Sequence, residues 1–199
     1  MTNLRSRLLF ALVALLVAGG ARASGLASSS EPDGQGPRVD HRGLYAAVGG
    51  GGILQLIPSV SGPDANTFGY DFEARLGYSF NTSFQLYVSA NYDAASHNFG
   101  GVGSAVTLTN NNFMLNLQNA FYADRQFAVY GRIGLGLGIV GADDGTPSQK
   151  GLGEIFGIGV DIRLTNSVSL TPEVFYRRSD ESSDQRVDSL GLQLNLVYY

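Results

Sequence analysis

Hydrophobic and polar residues alternate strictly over residues 68–79. Phe68, Tyr70, Phe72, Ala74, Leu76 and Tyr78 share one parity, and Gly69, Asp71, Glu73, Arg75, Gly77 and Ser79 the other. A period of two is the mark of a β-strand, whose successive side chains point to opposite faces. The pattern recurs over residues 84–93, 113–122, 127–139, 156–164, 168–177 and 190–198. With a less regular segment at 43–54 the total is about eight strands. An even number is what a closed bacterial barrel of antiparallel strands requires.

The connections alternate too. Residues 80–83, 123–126 and 165–167 read as tight turns, whereas 55–66, 94–106, 141–149 and 179–185 read as longer loops. Short turns at one rim and longer loops at the other is the arrangement of outer-membrane barrels, with both termini on the periplasmic side. The segments also supply the roughly 9–11 residues that a tilted membrane-spanning strand needs. Two irregularities are expected. Pro172 lies inside a strand and predicts a bulge or a locally broken ladder. The apolar parity slips between Leu108 and Phe113, which predicts a bulge or an extended loop around Asn110, Asn111 and Asn112.

Alternation alone does not say which face is buried. A soluble barrel of lipocalin type turns its greasy face inward, and a membrane barrel turns it to lipid. Four features favour the membrane: the chain's start, its low charge, the loop asymmetry, and a polar face of Gly, Ser, Asn, Tyr and opposite charges. Arg5 and Arg7 precede an apolar run over residues 8–18, followed by Ala21-Arg22-Ala23. This predicts a secretory signal peptide over residues 1–23, cut before Ser24, because the run is too short to span a bilayer as a helix. Residues 24–42, rich in Ser, Gly and Pro, read as a flexible periplasmic tail, and residues 43–199 as the barrel.

Loss of residues 1–23 removes three arginines and no acid, taking the net charge to about −7. That balance argues against a nucleic-acid partner. Lys150 is the one lysine in the chain, unlike the Lys-rich exterior of a soluble secreted protein. There is no cysteine, hence no disulfide framework, lipid-anchor cysteine or thiolate metal site. Aromatic residues gather at segment ends, as interface girdles do. Tyr78, Phe80, Phe84, Phe121, Phe127 and Tyr198 fall near one rim, and Phe68, Tyr70, Tyr92, Phe113 and Tyr176 near the other.

The last strand carries a more specific signal. Ser189, Gly191, Leu194 and Leu196 resemble, in type and spacing, the terminal assembly signal of outer-membrane barrels. Tyr198 is the aromatic in phase with the greasy face, and the final Tyr199 is out of phase. As a whole, residues 43–199 resemble the small eight-stranded barrels of the OmpA, OmpX and Ail type, the outer membrane protein β-barrel domain family. The resemblance implies an all-β fold, an eight-stranded antiparallel up-and-down transmembrane β-barrel. It implies a bacterial outer-membrane location with periplasmic N- and C-termini, and no particular activity. The expected surroundings are outer-membrane lipid and lipopolysaccharide, with the barrel-assembly machinery acting during insertion; a monomer is expected.

On the polar parity, Glu73, Arg75, Arg132, Asp161, Arg163 and Glu173 fall in the middle or lower lumen, with Asp71, Asp93 and Arg177 nearer the outside. Isolated charges in so narrow a space are costly to desolvate, so pairing is expected. The network is either a salt-bridged plug or, if Glu73, Arg75, Arg132 and Glu173 exchange partners, a gate. Gly134, Gly136, Gly138, Gly157 and Gly159, with Gly151 and Gly153, share the lumen parity. They either make room for Tyr45, Tyr87 and Tyr130 or line a small pocket for a hydrophobic ligand.

The histidines that could serve catalysis are His41, in the tail, and His97, in a predicted loop beside Ser96. Nucleophilic hydrolysis needs a Ser, a His and an orienting carboxylate converging on one point, which adjacent loop residues rarely achieve. No enzyme activity and no cofactor is expected, and Asp143-Asp144-Gly145 makes at most a weak cation turn rather than a metal site. The function expected is that of a structural or surface-interaction barrel. A narrow conduit for small or hydrophobic solutes is the alternative, and a lipid-modifying enzyme a remote one.

Overall fold

A computed structural model describes residues 42–57, 66–81, 83–98, 105–124, 126–181 and 186–199. The expected signal peptide over residues 1–23 and nearly all of the expected tail, including His41, lie outside the described residues. Eight strands run in chain order: β1 (Gly43–Leu56), β2 (Asn66–Ser79), β3 (Phe84–His97), β4 (Val106–Ala123), β5 (Phe127–Ala142), β6 (Gln149–Arg163), β7 (Val168–Glu181) and β8 (Arg186–Tyr198). Each pairs antiparallel with its neighbours, and β8 closes on β1 from Ala46↔Tyr198 to Leu56↔Asp188. Closure leaves no sheet edge with unpaired backbone.

Every strand is longer than its alternating core, at 13 to 18 residues. The extensions fall at the rim opposite the termini, here called the loop rim. His97, for instance, pairs with Val106, inside the stretch read as a loop. The connections at the loop rim are therefore shorter than expected: those after β1, β3 and β5 still exceed the turns at the terminal rim, whereas residues 182–185 after β7 match residues 80–83 and 164–167 in length. Those turns have local causes. Asn81 Oδ1 accepts the backbone N–H of Ser83 at 2.8 Å and of Phe84 at 2.7 Å, an Asx turn that sets the β2–β3 reversal. Leu164 and Thr165 both donate to the Val168 carbonyl to close β6–β7.

The burial pattern answers the question the alternation left open. Phe68 is 83% exposed, Phe72 58% and Leu76 59%, whereas Asp71, Glu73 and Arg75 are at most 5% exposed. The greasy face is outside and the charges are inside, the reverse of a soluble barrel. The aromatics form two bands on the exterior. Tyr78, Phe80 and Phe84 touch in sequence at the terminal rim, and Tyr70 touches Phe72 and Tyr92 towards the loop rim.

Of the two expected irregularities, the one at Pro172 is present and the one around Asn110 is not. At Pro172 the ladder is broken rather than bulged. Pairing runs to Gly159↔Glu173 and resumes at Ile162↔Leu170 in the same register, while the β8 side is continuous through Pro172↔Leu194. A residue without an N–H removes rungs on one side without displacing the strand. Around Asn110 there is neither bulge nor loop, because β4 is paired without interruption on both sides there. Val106 and Leu108 share the lumen parity of Asn110 and sit in the hairpin extension towards the loop rim, where no outward apolar partner is demanded of the alternate positions. The actual irregularity lies between Ala120 and Tyr122, which turns both Phe121 and Tyr122 outward. Tyr122, which unbroken alternation would place inward with Asn116 and Gln118, stacks instead on Phe127 at a ring separation of 5.4 Å.

Candidate functional site

The lumen is the candidate site, and side chains from all eight strands fill it. At its waist β2, β5 and β7 bring together Glu73, Arg75, Arg132 and Glu173, fully desolvated. Arg132 Nη1 donates to Glu73 Oε1 at 2.7 Å, and its Nη2 lies 2.5 Å from Glu173 Oε1, an ionic contact rather than an aligned hydrogen bond. Arg75 Nη2 donates to Glu73 Oε2 at 2.6 Å and to Glu173 Oε2 at 3.2 Å. Gln193 of β8 donates to both glutamates, and the Tyr130 hydroxyl donates to Glu173 Oε2 at 2.7 Å. Two acids against two guanidiniums balance, so the quartet is neutral as a unit. Such a group resists partial loss, because removing one partner strands a buried charge.

Arg177 forms a second group nearer the loop rim. Its Nη1 donates to Asp71 Oδ1 at 2.9 Å and also to Asp93, its Nη2 to Asn91 Oδ1 at 2.9 Å, and its guanidinium lies over the Phe175 ring. Asp161 and Arg163 join neither group. Asp161 accepts the hydroxyl proton of Tyr199 at 3.0 Å, and Arg163 sits half-buried at the terminal end of β6.

Tyr199 is the residue whose role the pattern concealed. Out of phase with lipid, its ring turns into the terminal mouth of the lumen, 5.6 Å from that of Tyr45, which meets Tyr87 edge-on at 6.1 Å. With Ala47 and Val197 these form an apolar lid below the quartet. The parity break itself was the available signal.

The glycines serve packing. A side chain at Gly159 would collide with the Tyr130 ring, one at Gly157 with Arg132 and Glu173, and one at Gly134 with Asn116 and Ile155. Gly138 and Gly153 leave room for Asn112, Ser179 and Met114, and at Gly136 the backbone of β4 itself is in the way. These neighbours support the packing reading of the stripe. Room for Tyr87 and Tyr45 comes from Gly77, outside the stripe, and Gly191 of the terminal signal makes room for Phe175. Leu194, Leu196 and Tyr198 face outward, in phase with the exterior apolar surface.

Ser96 and His97 do not converge. As neighbours at the end of β3 they face opposite sides of the wall. Ser96 meets Thr107 outside, and His97 is buried inside, between Gln55 Oε1 at 2.8 Å and Thr67 Oγ1 at 3.2 Å. In the β5–β6 connection, Asp143 accepts the Thr107 N–H, and the hydroxyl and amide of Thr146 hold the Asp144 carboxyl below its usual range. Gly145 supplies the positive φ of that turn.

A family model described as outer membrane protein beta-barrel domain matches residues 10–199. None of the curated proteins matches the chain in sequence. Among solved structures, the chain is similar to Neisserial surface protein A (NspA) at 15% identity with a TM-score of 0.56, over 77% of this chain and 96% of that one. It is also similar to Ail, the attachment invasion locus protein of Yersinia pestis, solved with the heparin analogue sucrose octasulfate, at 15% identity and a TM-score of 0.47 over 78% and 99% of the two chains. OprG from Pseudomonas aeruginosa matches at 13% identity and a TM-score of 0.46, over 81% and 98%. At such identities the NspA likeness shows a shared fold.

Proposed function

The chain belongs to the outer membrane protein β-barrel domain family, and from that premise we propose that it is a non-conducting, non-enzymatic barrel with a structural or surface-interaction role in the envelope. It is a protein of the bacterial outer membrane. In this reading both termini are periplasmic, the loop rim faces outward amid lipopolysaccharide, and the strand ending in Leu194, Leu196 and Tyr198 is presented to the assembly machinery. One observation carries the closed-lumen reading: the neutral quartet Glu73–Arg75–Arg132–Glu173 spans the waist with every member buried. An ion passing it must separate charges in a low-dielectric space, a cost of several kcal/mol.

Planar-bilayer recording and liposome swelling on refolded protein test this. The expected result is an electrically silent bilayer and no swelling with small sugars or amino acids. Steady conductance steps would instead support the conduit, and their loss on charge reversal at Arg132 would locate its gate at the quartet.

The lipid-facing assignment makes a separate prediction. Ile158, exposed on the outer face of β6, becomes Ile158→Arg at an expected cost of about 2–4 kcal/mol near the bilayer midplane. Urea titration in vesicles measures it. A cost near zero would mean that this face does not meet hydrocarbon.

A further inference from the structure

We infer that the loop-side half of the lumen binds a small monovalent cation between Asp71 and Asp93, at a site distinct from the quartet. The charge balance inside the barrel singles the place out. Glu73 and Glu173 are matched by Arg75 and Arg132, and at the terminal end Asp161 shares the lumen face of β6 with Arg163. Above the waist, Arg177 is the one cation among the described residues that faces two acids. Asp71 and Asp93 are register partners on β2 and β3, both reach the same Nη1, and all three side chains are fully buried. One negative charge is left without a counter-charge where desolvation is most costly.

The surrounding polar atoms point the same way. Oδ2 of Asp71 and Oδ2 of Asp93 are buried without a hydrogen-bond partner. So are Ser189 Oγ, Gln55 Nε2 and Asn110 Nδ2. Register makes these contiguous: Asn110 faces Asp93, Ser189 faces Arg177, and Gln55 faces Ser189. Buried polar groups are ordinarily satisfied, by protein, water or ligand. Two carboxylate oxygens and a hydroxyl are hard oxygen donors, and the amide N–H groups suit water in the ion's hydration shell. A net charge of minus one matches a monovalent ion and leaves a divalent one overcharged beside Arg177. Among the described residues, no further lysine or arginine shares the lumen parity of this chamber. Asn91 is engaged by Arg177, Phe175 is apolar, and the ring nitrogens of His97 meet Gln55 and Thr67.

The test is thermal unfolding of the refolded barrel in detergent, in sodium, potassium or choline chloride at equal ionic strength and neutral pH. A ligand that binds only the folded state raises stability with its concentration. The midpoint is expected to be about 5 °C or more higher in sodium or potassium than in choline. Asp71→Asn and Asp93→Asn are each expected to abolish that difference while keeping the gel mobility of a folded barrel, and Asp144→Asn in the loop to preserve it. Crystals grown in rubidium chloride should show anomalous density between the two carboxylates, a readout that does not depend on the variants folding. Equal midpoints in all three salts, a cation effect that survives both substitutions, or stabilisation by acid alone with no rubidium peak would overturn the proposal.

Discussion

Arg132→Met is expected to lower the unfolding free energy of the refolded barrel by about 3–5 kcal/mol, the cost of stranding a buried charge. Arg132 is the hub of the waist, contacting Glu73 at 2.7 Å and Glu173 at 2.5 Å with its own side chain fully desolvated. Without it, Arg75 is the single guanidinium of the quartet left against two glutamates. The methionine keeps most of the volume, so a cavity is not the main term. The decisive comparison is the double variant Arg132→Met/Glu173→Gln, in which Glu73 and Arg75 again balance. It should recover at least about 1.5 kcal/mol of the single-variant loss, since coupled neighbours deviate from additivity by roughly 0.5–3 kcal/mol. The chain contains no tryptophan, so urea titration in vesicles is followed by far-ultraviolet circular dichroism. A single variant as stable as the parent would mean that water already screens the quartet, and the closed-lumen reading would go with it.

Gly136→Val is expected to prevent folding altogether. A Cβ at this position would lie 2.7 Å from Met114 Cα and overlap the Phe113 carbonyl, both main-chain atoms of the paired strand β4. Overpacking against side chains costs about 1–3 kcal/mol because they can shift. Here the obstacle is the wall of the barrel, so relief requires breaking the β4–β5 ladder. Refolded Gly136→Val should migrate on unheated gels as unfolded chain. Gly52→Ala is the control. The nearest heavy atom to a Cβ there is the Gly69 carbonyl oxygen at 4.0 Å, so the change should be neutral or stabilise by about 0.4–1 kcal/mol through the unfolded chain. If both variants fold equally well, close backbone approach is not why glycine occupies the lumen stripe.

The two predictions differ in how legible their residues were. Glu73, Arg75, Arg132 and Glu173 could be placed inside because each falls on the polar parity of an alternating segment, which is a local property. The same four could be singled out as mutual partners, but not which atoms pair or that Gln193 and Tyr130 join them, because strands β2, β5 and β7 meet only across the lumen, at distances set by barrel size and tilt. Gly136 was visible as one of a stripe, but the reason for it, the nearness of β4, is a matter of register between strands. The irregularity at Phe121 went unread for a similar reason. Two adjacent aromatics that both belong outside demand an extra residue on one side, and the pattern there looked like an ordinary strand end. His97 looked like part of a loop because the β3–β4 hairpin continues beyond the region where alternation is enforced.

Local order along the chain was enough to dictate eight strands, their two faces, the turns between them and which side chains share the interior. Each of those follows from a period of two and from turn chemistry acting within a few residues. Closure of β8 on β1 fixed everything that depends on distance across the lumen. It matched the quartet charge for charge, set Arg177 against two aspartates, turned Tyr199 into the terminal mouth and gave the lumen glycines, such as Gly134, Gly136, Gly157 and Gly159, their particular neighbours. A narrow closed barrel has no slack, so these contacts are decided by shape and register together, and neither is written in any one strand.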